Sequence, residues 1–191
     1  MSDPVSALGG ASFDGIVKVT EAPPRGMITV RSDLASATFE EAIVTATGLT
    51  MPPKTGAVLK SERGVCWMSP DELLVLLPHD DAPGAVAAMS AALQGEHALV
   101  VDVSDARSCF VLEGEGRLIR ETLAKLSPAD MRVDATPVGC LRRTRLSQVP
   151  AAFIIAADSR IEVICFRSVA AYVFGLLKQA TMPGSKVDYF P

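Results

Sequence analysis

Few residues in this sequence combine a type and a spacing that suggest chemistry. Asp102, Ser104 and Asp105 place two carboxylates and a hydroxyl after a strand-like run, and Arg107 follows them. Such a group suits a catalytic acid or a ligand anchor, and the same residue types also satisfy backbone donors in ordinary turns. We favour the turn and keep Asp102 and Arg107 as candidates for binding a ligand.

Trp67 and Cys140 are the other two residues with a possible role at a ligand. Trp67, the only tryptophan, ends a strand-like run beside a turn, where its indole either stacks on a ligand or fills the core. Cys140 is followed closely by three arginines, and nearby cations lower the pKa of a thiol. No histidine stands near Cys140 to act as a base, so we favour a structural thiol.

Known catalytic and cofactor motifs are missing from the sequence. G-x-S-x-G, G-x-x-x-x-G-K-[ST], H-E-x-x-H and C-x-x-C do not occur. Gly114-Glu115-Gly116 follows a strand-like run and precedes a helix, as in a dinucleotide loop, but Ile119 takes the place of the third glycine. The sequence therefore predicts no catalytic residue, no bound cofactor and no metal site in this chain.

The composition is that of a packed globular protein. The chain has 191 residues, of which 49% are hydrophobic and 21% charged, which excludes intrinsic disorder. A net charge of −4 without a lysine or arginine cluster argues against a nucleic-acid partner. The longest apolar stretch is much shorter than the ~20 residues that span a bilayer, and a signal peptide is not recognisable. We expect a cytoplasmic protein with four reduced cysteines and no membrane partner.

Hydrophobic periodicity predicts an α+β fold. Short apolar runs predict nine strands, at 27–30, 58–59, 65–68, 73–77, 99–101, 109–112, 141–146, 152–155 and 161–166. Apolar residues at helical spacing predict four helices, around 39–46, 83–93, 119–126 and 169–180. In the last helix, Tyr172, Val173, Leu176 and Leu177 are expected to pack on the sheet.

The predicted elements repeat once along the chain. Residues 27–97 and 98–180 form two pseudo-repeated β-α-β-β-α lobes, with hairpins that favour an α+β class over a parallel sheet. Residues 1–26, rich in Gly, Pro, Ala and Ser, are predicted to be a flexible N-terminal arm. Residues 181–191 are predicted to be a C-terminal tail.

Four segments, in the same order, resemble the gamma subunit family of heterotetrameric sarcosine oxidase. They are Trp67 to Pro78, Val101 to Arg107, Arg120 to Asp130, and Cys140 to Leu146 followed by Phe166 to Tyr172. The resemblance implies a folate-binding-domain fold, shared with the aminomethyltransferase (T-protein) of glycine cleavage. It also implies a complex of four different subunits, which oxidatively demethylates sarcosine to glycine with H2O2 and either formaldehyde or methylenetetrahydrofolate.

The resemblance further implies how roles are divided in that complex. FAD, FMN, NAD, folate and zinc are implied in the partner subunits, chiefly the large flavin- and folate-bearing ones. This chain is implied to be a non-catalytic subunit that supports assembly.

Two other functions on this fold stay open from the sequence. A free-standing folate-binding or aminomethyltransferase-like one-carbon module would need a pocket acid with basic or aromatic residues, for which Asp102, Arg107 and Trp67 are the candidates. A folate-dependent maturation factor for iron–sulfur clusters carries Lys-Gly-Cys-aromatic and then Gly-Gln. Here Val138-Gly139-Cys140-Leu141 keeps only the glycine and the cysteine. We therefore favour the assembly subunit.

Overall fold

A computed structural model describes residues 4–190, which form two compact units. The central unit comprises residues 25–105, and the terminal unit combines the residues up to 24 with those from 106 onward. Residues 1–3 of the predicted arm and residue 191 of the predicted tail lie outside the described residues.

Eleven strands and four helices make up the described chain. They are β1 (Ser12–Asp14), β2 (Lys18–Glu21), β3 (Gly26–Arg31), α1 (Ala37–Thr47), β4 (Ala57–Lys60), β5 (Arg63–Ser69), β6 (Glu72–Leu77), α2 (Ala82–Ala92), β7 (Leu99–Asp102), β8 (Arg107–Glu113), α3 (Gly116–Ala124), β9 (Leu141–Leu146), β10 (Val149–Ala157), β11 (Arg160–Phe166) and α4 (Ala170–Ala180). All nine predicted strands and all four predicted helices are present, and the two added strands lie in the predicted arm.

The central unit contains a five-stranded sheet in the order β4-β5-β6-β3-β7, with antiparallel neighbours throughout. Its core joins sheet residues such as Ile28 and Leu73 to Phe39 and Ile43 of α1 and Met89 of α2. The predicted apolar stripe of α1 faces this core because its residues recur every three or four positions. Ser36 caps the start of α1, and Gly48, in the left-handed conformation, ends it.

The terminal unit contains a six-stranded antiparallel sheet in the order β1-β2-β8-β11-β10-β9. Phe110 and Phe153 are the largest side chains of its core, and Ile119 of α3 and Leu177 of α4 pack with them. In α4 the buried residues are Ala170, Val173, Leu177 and Ala180, whereas Leu176 is half-buried and Tyr172 is 46% exposed. The core-facing stripe of α4 is therefore narrower than predicted.

The α+β class and the internal repetition are confirmed. Both units contain the run β-α-β-β-β-α, from β3 to α2 and from β8 to α4, with one strand more than the predicted lobe. In both runs the hairpin strands lie beside the first strand in the same order. The order β4-β5-β6-β3-β7 corresponds to β9-β10-β11-β8-β2. The repeat is therefore one of topology.

The lobe boundaries differ from the predicted ones because two strands pair away from their sequence neighbours. β7, predicted to open the second lobe, pairs with β3 and belongs to the central unit. β2, within the predicted flexible arm, pairs with β8, and its Val19 is fully buried in the terminal unit. Backbone hydrogen bonds hold both strands in their sheets, and for β2 the burial of Val19 adds to this. The Gly- and Pro-rich composition of the predicted arm indicates neither the strand pairing nor the burial.

Candidate functional site

Asp102, Arg107 and Trp67 do not form one site within a unit. Trp67 on β5 and Asp102 on β7 both belong to the central unit, where β6 and β3 lie between those two strands. β5 and β7 are therefore three strand spacings apart, which is about 14 Å. Arg107 begins β8 of the terminal unit. The sheet order thus separates Trp67 from Asp102, although both lie close to turns in the sequence.

Each of these three side chains has a local structural role. Asp102 Oδ1 accepts a hydrogen bond from the backbone N–H of Ser104 at 2.9 Å, which is the turn that the sequence favoured. The Arg107 guanidinium lies over the ring of Phe166, 5.4 Å from its centroid. Trp67 packs half-buried against the core of the central unit. A role in binding a ligand stays a prediction for all three.

The glycine loop before α3 does not fit a dinucleotide. A Cβ on Gly116 would lie 2.4 Å from the backbone oxygen of Asp158, so the β10–β11 hairpin occupies the space next to the helix start. Gly114 has φ +150, which side chains rarely adopt. The close approach of helix and hairpin explains Gly116, and the positive φ explains Gly114.

All four cysteines are buried and form no disulfide within the described residues. Burial raises the pKa of the Cys140 thiol despite the charges of Arg142 and Arg120. Burial also raises the pKa of Cys165 to about 12. Because the thiolate is the reactive form, Cys140 has the chemistry of a core side chain rather than of a nucleophile.

Several charged residues line a cavity beside α3 in the terminal unit. The cavity has a volume of about 980 Å³. It is lined by Gly116, Arg117, Arg120, Arg132, Val133, Asp134, Asp158, Tyr189 and Phe190. Three arginines and two aspartates therefore line one space.

Arg120 is the unusual member of this group because its side chain is only 4% exposed. Its Nη1 donates to the backbone oxygens of Met131 and Thr136, at 3.0 and 2.9 Å, and to Thr136 Oγ1 at 3.1 Å. Its Nη2 has no hydrogen-bond acceptor among residues 4–190 and lies 3.9 Å from Asp158 Oδ1. This distance is too long for a hydrogen bond. One buried donor therefore remains unsatisfied at the cavity wall.

The other two arginines of the cavity are paired. Arg117 contacts Glu115 and Asp188, each at 2.8 Å. The guanidinium of Arg132 donates to both carboxylate oxygens of Asp130, with a shortest contact of 2.6 Å. These hydrogen bonds lower the pKa of the Asp130 carboxyl to about 2. Both contacts fix the direction of a guanidinium at the cavity rim.

Two buried glutamates hold the terminal segments of the chain to the terminal unit. Glu121, on α3, accepts from the backbone N–H groups of Val187 at 2.7 Å and Tyr189 at 3.1 Å, and it pairs with Lys125 at 3.1 Å. Glu21, on β2, accepts likewise from Leu8 and Gly10. The predicted C-terminal tail is thus docked through residue 190, where it lines the cavity.

The docking of the tail depends on the charge of Glu121. Burial raises the pKa of this carboxyl, but the hydrogen bonds from Val187, Lys125 and Tyr189 outweigh burial and lower the pKa overall. The stabilisation by Glu121 is therefore complete above the unfolded pKa of about 4.3 and is lost as the pH falls through the lower native value. At neutral pH the tail is held in place.

We expect Glu121→Gln to loosen the tail at neutral pH. Loss of the charge-assisted hydrogen bonds should accelerate amide exchange of Val187 and Tyr189 by about ten-fold, as measured by NMR. The wild-type protein should show the same release only on acidification below the ordinary glutamate pKa of about 4.3, since the native pKa of Glu121 is lower than this. Glu113→Gln, on β8, makes the same substitution away from the tail and should leave the two amides protected. Unchanged exchange in Glu121→Gln would contradict this role.

Two classes of site are absent from the part of the chain that the structure describes. No group of three or more His, Cys, Asp or Glu side chains is arranged to hold a metal ion there. None of the helices within residues 4–190 is long and apolar enough to cross a membrane.

Comparison with known proteins identifies relatives of one kind. Residues 31–183 match the model of the family described as sarcosine oxidase, gamma subunit. The sarcosine oxidase gamma subunits of Arthrobacter sp. and of Corynebacterium sp. strain P-1 are each 33% identical over 146 residues, which cover 75% of this chain and 70% of the relative.

The solved structures agree with the sequence relatives. A chain of heterotetrameric sarcosine oxidase from Corynebacterium sp. U-96 superposes with a TM-score of 0.77 at 26% identity, covering 86% of this chain and 83% of that one. Aminomethyltransferase T of the glycine cleavage system from Bartonella henselae matches with a TM-score of 0.60 at 12% identity, over 82% of this chain and 44% of that one. The second similarity shows a shared fold alone.

Proposed function

We infer the function of this chain from its family: it belongs to the sarcosine oxidase gamma subunit family and is the gamma subunit of a heterotetrameric sarcosine oxidase. The resemblance found in the sequence is thereby confirmed. Other sarcosine oxidase subunits are its partners. The observation that carries this conclusion is the family match, which spans residues 31–183 and therefore both units.

We propose that this subunit supports assembly and contributes no catalytic residue. The arrangement of the candidate residues supports this proposal, because Trp67 and Asp102 are separated by two strands and Arg107 starts a strand of the other unit. The space beside Gly116 also supports it, since the hairpin backbone stands where a dinucleotide phosphate would approach. The buried thiols offer no nucleophile.

The chemistry of the complex is proposed to reside in the partner subunits. FAD, FMN, NAD, folate and zinc are assigned to them, chiefly to the large flavin- and folate-bearing subunits. Sarcosine, O2 and water would there yield glycine, formaldehyde and H2O2, or tetrahydrofolate would take the one-carbon unit as methylenetetrahydrofolate. Oxidation of the N-methyl group needs an electron acceptor that protein side chains do not supply. A cytoplasmic location is also proposed, with support from four buried cysteines that form no disulfide within the described residues.

Co-purification with the other subunits tests the proposed function. With an affinity tag on this chain and co-expression of the four subunits, we expect to recover the whole flavin-bearing complex and its sarcosine-dependent peroxide production. As a permanent complex, it should bury on the order of 2,000 Å² or more at the interfaces of this subunit. The chain purified alone should be colourless and should form no peroxide from sarcosine.

The same preparation distinguishes the assembly subunit from a one-carbon module. A titration of the isolated chain with tetrahydrofolate should show no micromolar binding. Binding in that range, lost in Asp102→Ala or Arg107→Ala, would replace the assembly subunit by a folate-binding protein. Failure of the tagged wild-type chain to recover the other subunits would overturn the proposed function itself.

A further inference from the structure

The cavity beside α3 has the charge pattern of a binding site for one carboxylate. The buried guanidinium of Arg120 lacks a hydrogen-bond acceptor at Nη2 among the described residues, although Nη1 has three. A buried donor without an acceptor destabilises a protein, and it does so more when the donor is charged. An oxygen acceptor supplied from outside the chain would remove this cost.

The start of α3 borders the cavity. Gly116 begins the helix and lines the cavity, and Glu115 at the N-cap position provides no side-chain cap. Arg117, in the first turn, points its guanidinium to the same rim through its contact with Asp188.

The acidic residues of the cavity limit what it accepts. Asp134 and Asp158 line the wall, and Asp158 is 77% exposed. Both would repel a ligand with several negative charges, such as a polyphosphate or a nucleic-acid strand. Arg117 and Arg132 are already paired with Asp188 and Asp130, so Arg120 Nη2 is the one unsatisfied guanidinium donor among the lining arginines. The cavity therefore fits a single carboxylate better than a polyanion.

Apolar and aromatic side chains form the outer rim of the cavity. Val133 is 60% exposed and Tyr189 is 72% exposed, and Phe190 packs edge-on against Tyr189 with ring centroids 5.0 Å apart. Exposed apolar side chains beside a charged pocket are typical of protein–protein contacts, where tyrosine and arginine contribute most of the binding energy. The occupant is thus expected to carry apolar surface next to its carboxylate.

We propose that this cavity receives an aspartate or glutamate side chain, flanked by apolar residues, from another subunit of sarcosine oxidase. The carboxylate accepts from Arg120 Nη2, while Val133 and Tyr189 cover the flanking residues. This inference rests on the proposed function, because it assigns the contact surface of the same subunit.

Introducing a negative or a positive charge at the rim tests the inference in the assembled complex. Val133 is exposed, so Val133→Glu and Val133→Lys should both fold, as checked by circular dichroism. A carboxylate at position 133 should repel the incoming acidic side chain and weaken assembly at least ten-fold, measured by titrating the tagged full chain against the other three subunits. The lysine variant should assemble within about three-fold of the wild type. Val138→Glu, on an exposed residue outside the cavity lining, should assemble like the wild type.

Three outcomes would overturn the inference while leaving the proposed function intact. One is equal assembly of Val133→Glu and wild type. Another is equal loss in the glutamate and lysine variants, which would mean that shape rather than charge matters. The third is submillimolar binding of acetate by the isolated full chain that Arg117→Met weakens, which would make the cavity a site for a free carboxylate. Failure of the wild-type chain to assemble at all would count against the proposed function instead.

Discussion

Leu177→Ala should lower the free energy of unfolding by about 2–5 kcal/mol, the range for truncating a buried leucine. The side chain of Leu177 is fully buried in the core of the terminal unit, between the sheet and α4. Its loss removes apolar burial and leaves a cavity that the surrounding side chains fill only in part. Urea denaturation followed by far-UV circular dichroism should show the transition at lower denaturant with little change in slope.

Leu176→Ala is the matched control, because it makes the same substitution one position away on the same helix. Leu176 is only half-buried at the edge of the core, so less apolar area is lost. We expect less than half of the effect of Leu177→Ala. Equal destabilisation in the two variants would show that the core-facing stripe of α4 is wider than the structure has it.

Arg120→Met should destabilise the protein by about 2–4 kcal/mol, although it replaces a charged residue by an apolar one of similar length. The substitution takes the donor from two buried backbone oxygens and one hydroxyl, at Met131 and Thr136. These groups anchor the loop between α3 and β9. Denaturation should show the loss of stability, and amide exchange should locate it in that loop.

Arg117→Met provides the comparison on the same helix. Arg117 is partly exposed, and its partners Glu115 and Asp188 are both more than half exposed. Exposed ion pairs contribute about 0–1 kcal/mol, so this variant should be close to the wild type in stability. Similar losses in the two variants would mean that Arg120 acts through its charge alone rather than through its buried hydrogen bonds.

Local patterns in the sequence determined the elements of this protein. The spacing of Phe39 and Ile43, of Ile119 and Leu123, and the short apolar runs correctly predicted four helices and nine of the strands. Such patterns predict helices and strands because the spacing of apolar side chains along one element reflects which of its faces is buried. The order of four motifs also identified the family, which the comparisons confirm.

Only the tertiary structure decided which strands share a sheet and which charged residues are buried. β2 and β7 pair with strands far from them in the sequence, since edge hydrogen bonds are set by three-dimensional proximity. Arg120 and Glu121 sit on α3 like ordinary surface charges, yet their acceptors and donors come from residues 131–136 and 187–189. Burial of a charge depends on partners elsewhere in the fold, and therefore Asp102, Arg107 and Trp67 were visible as candidates while the cavity beside α3 was not.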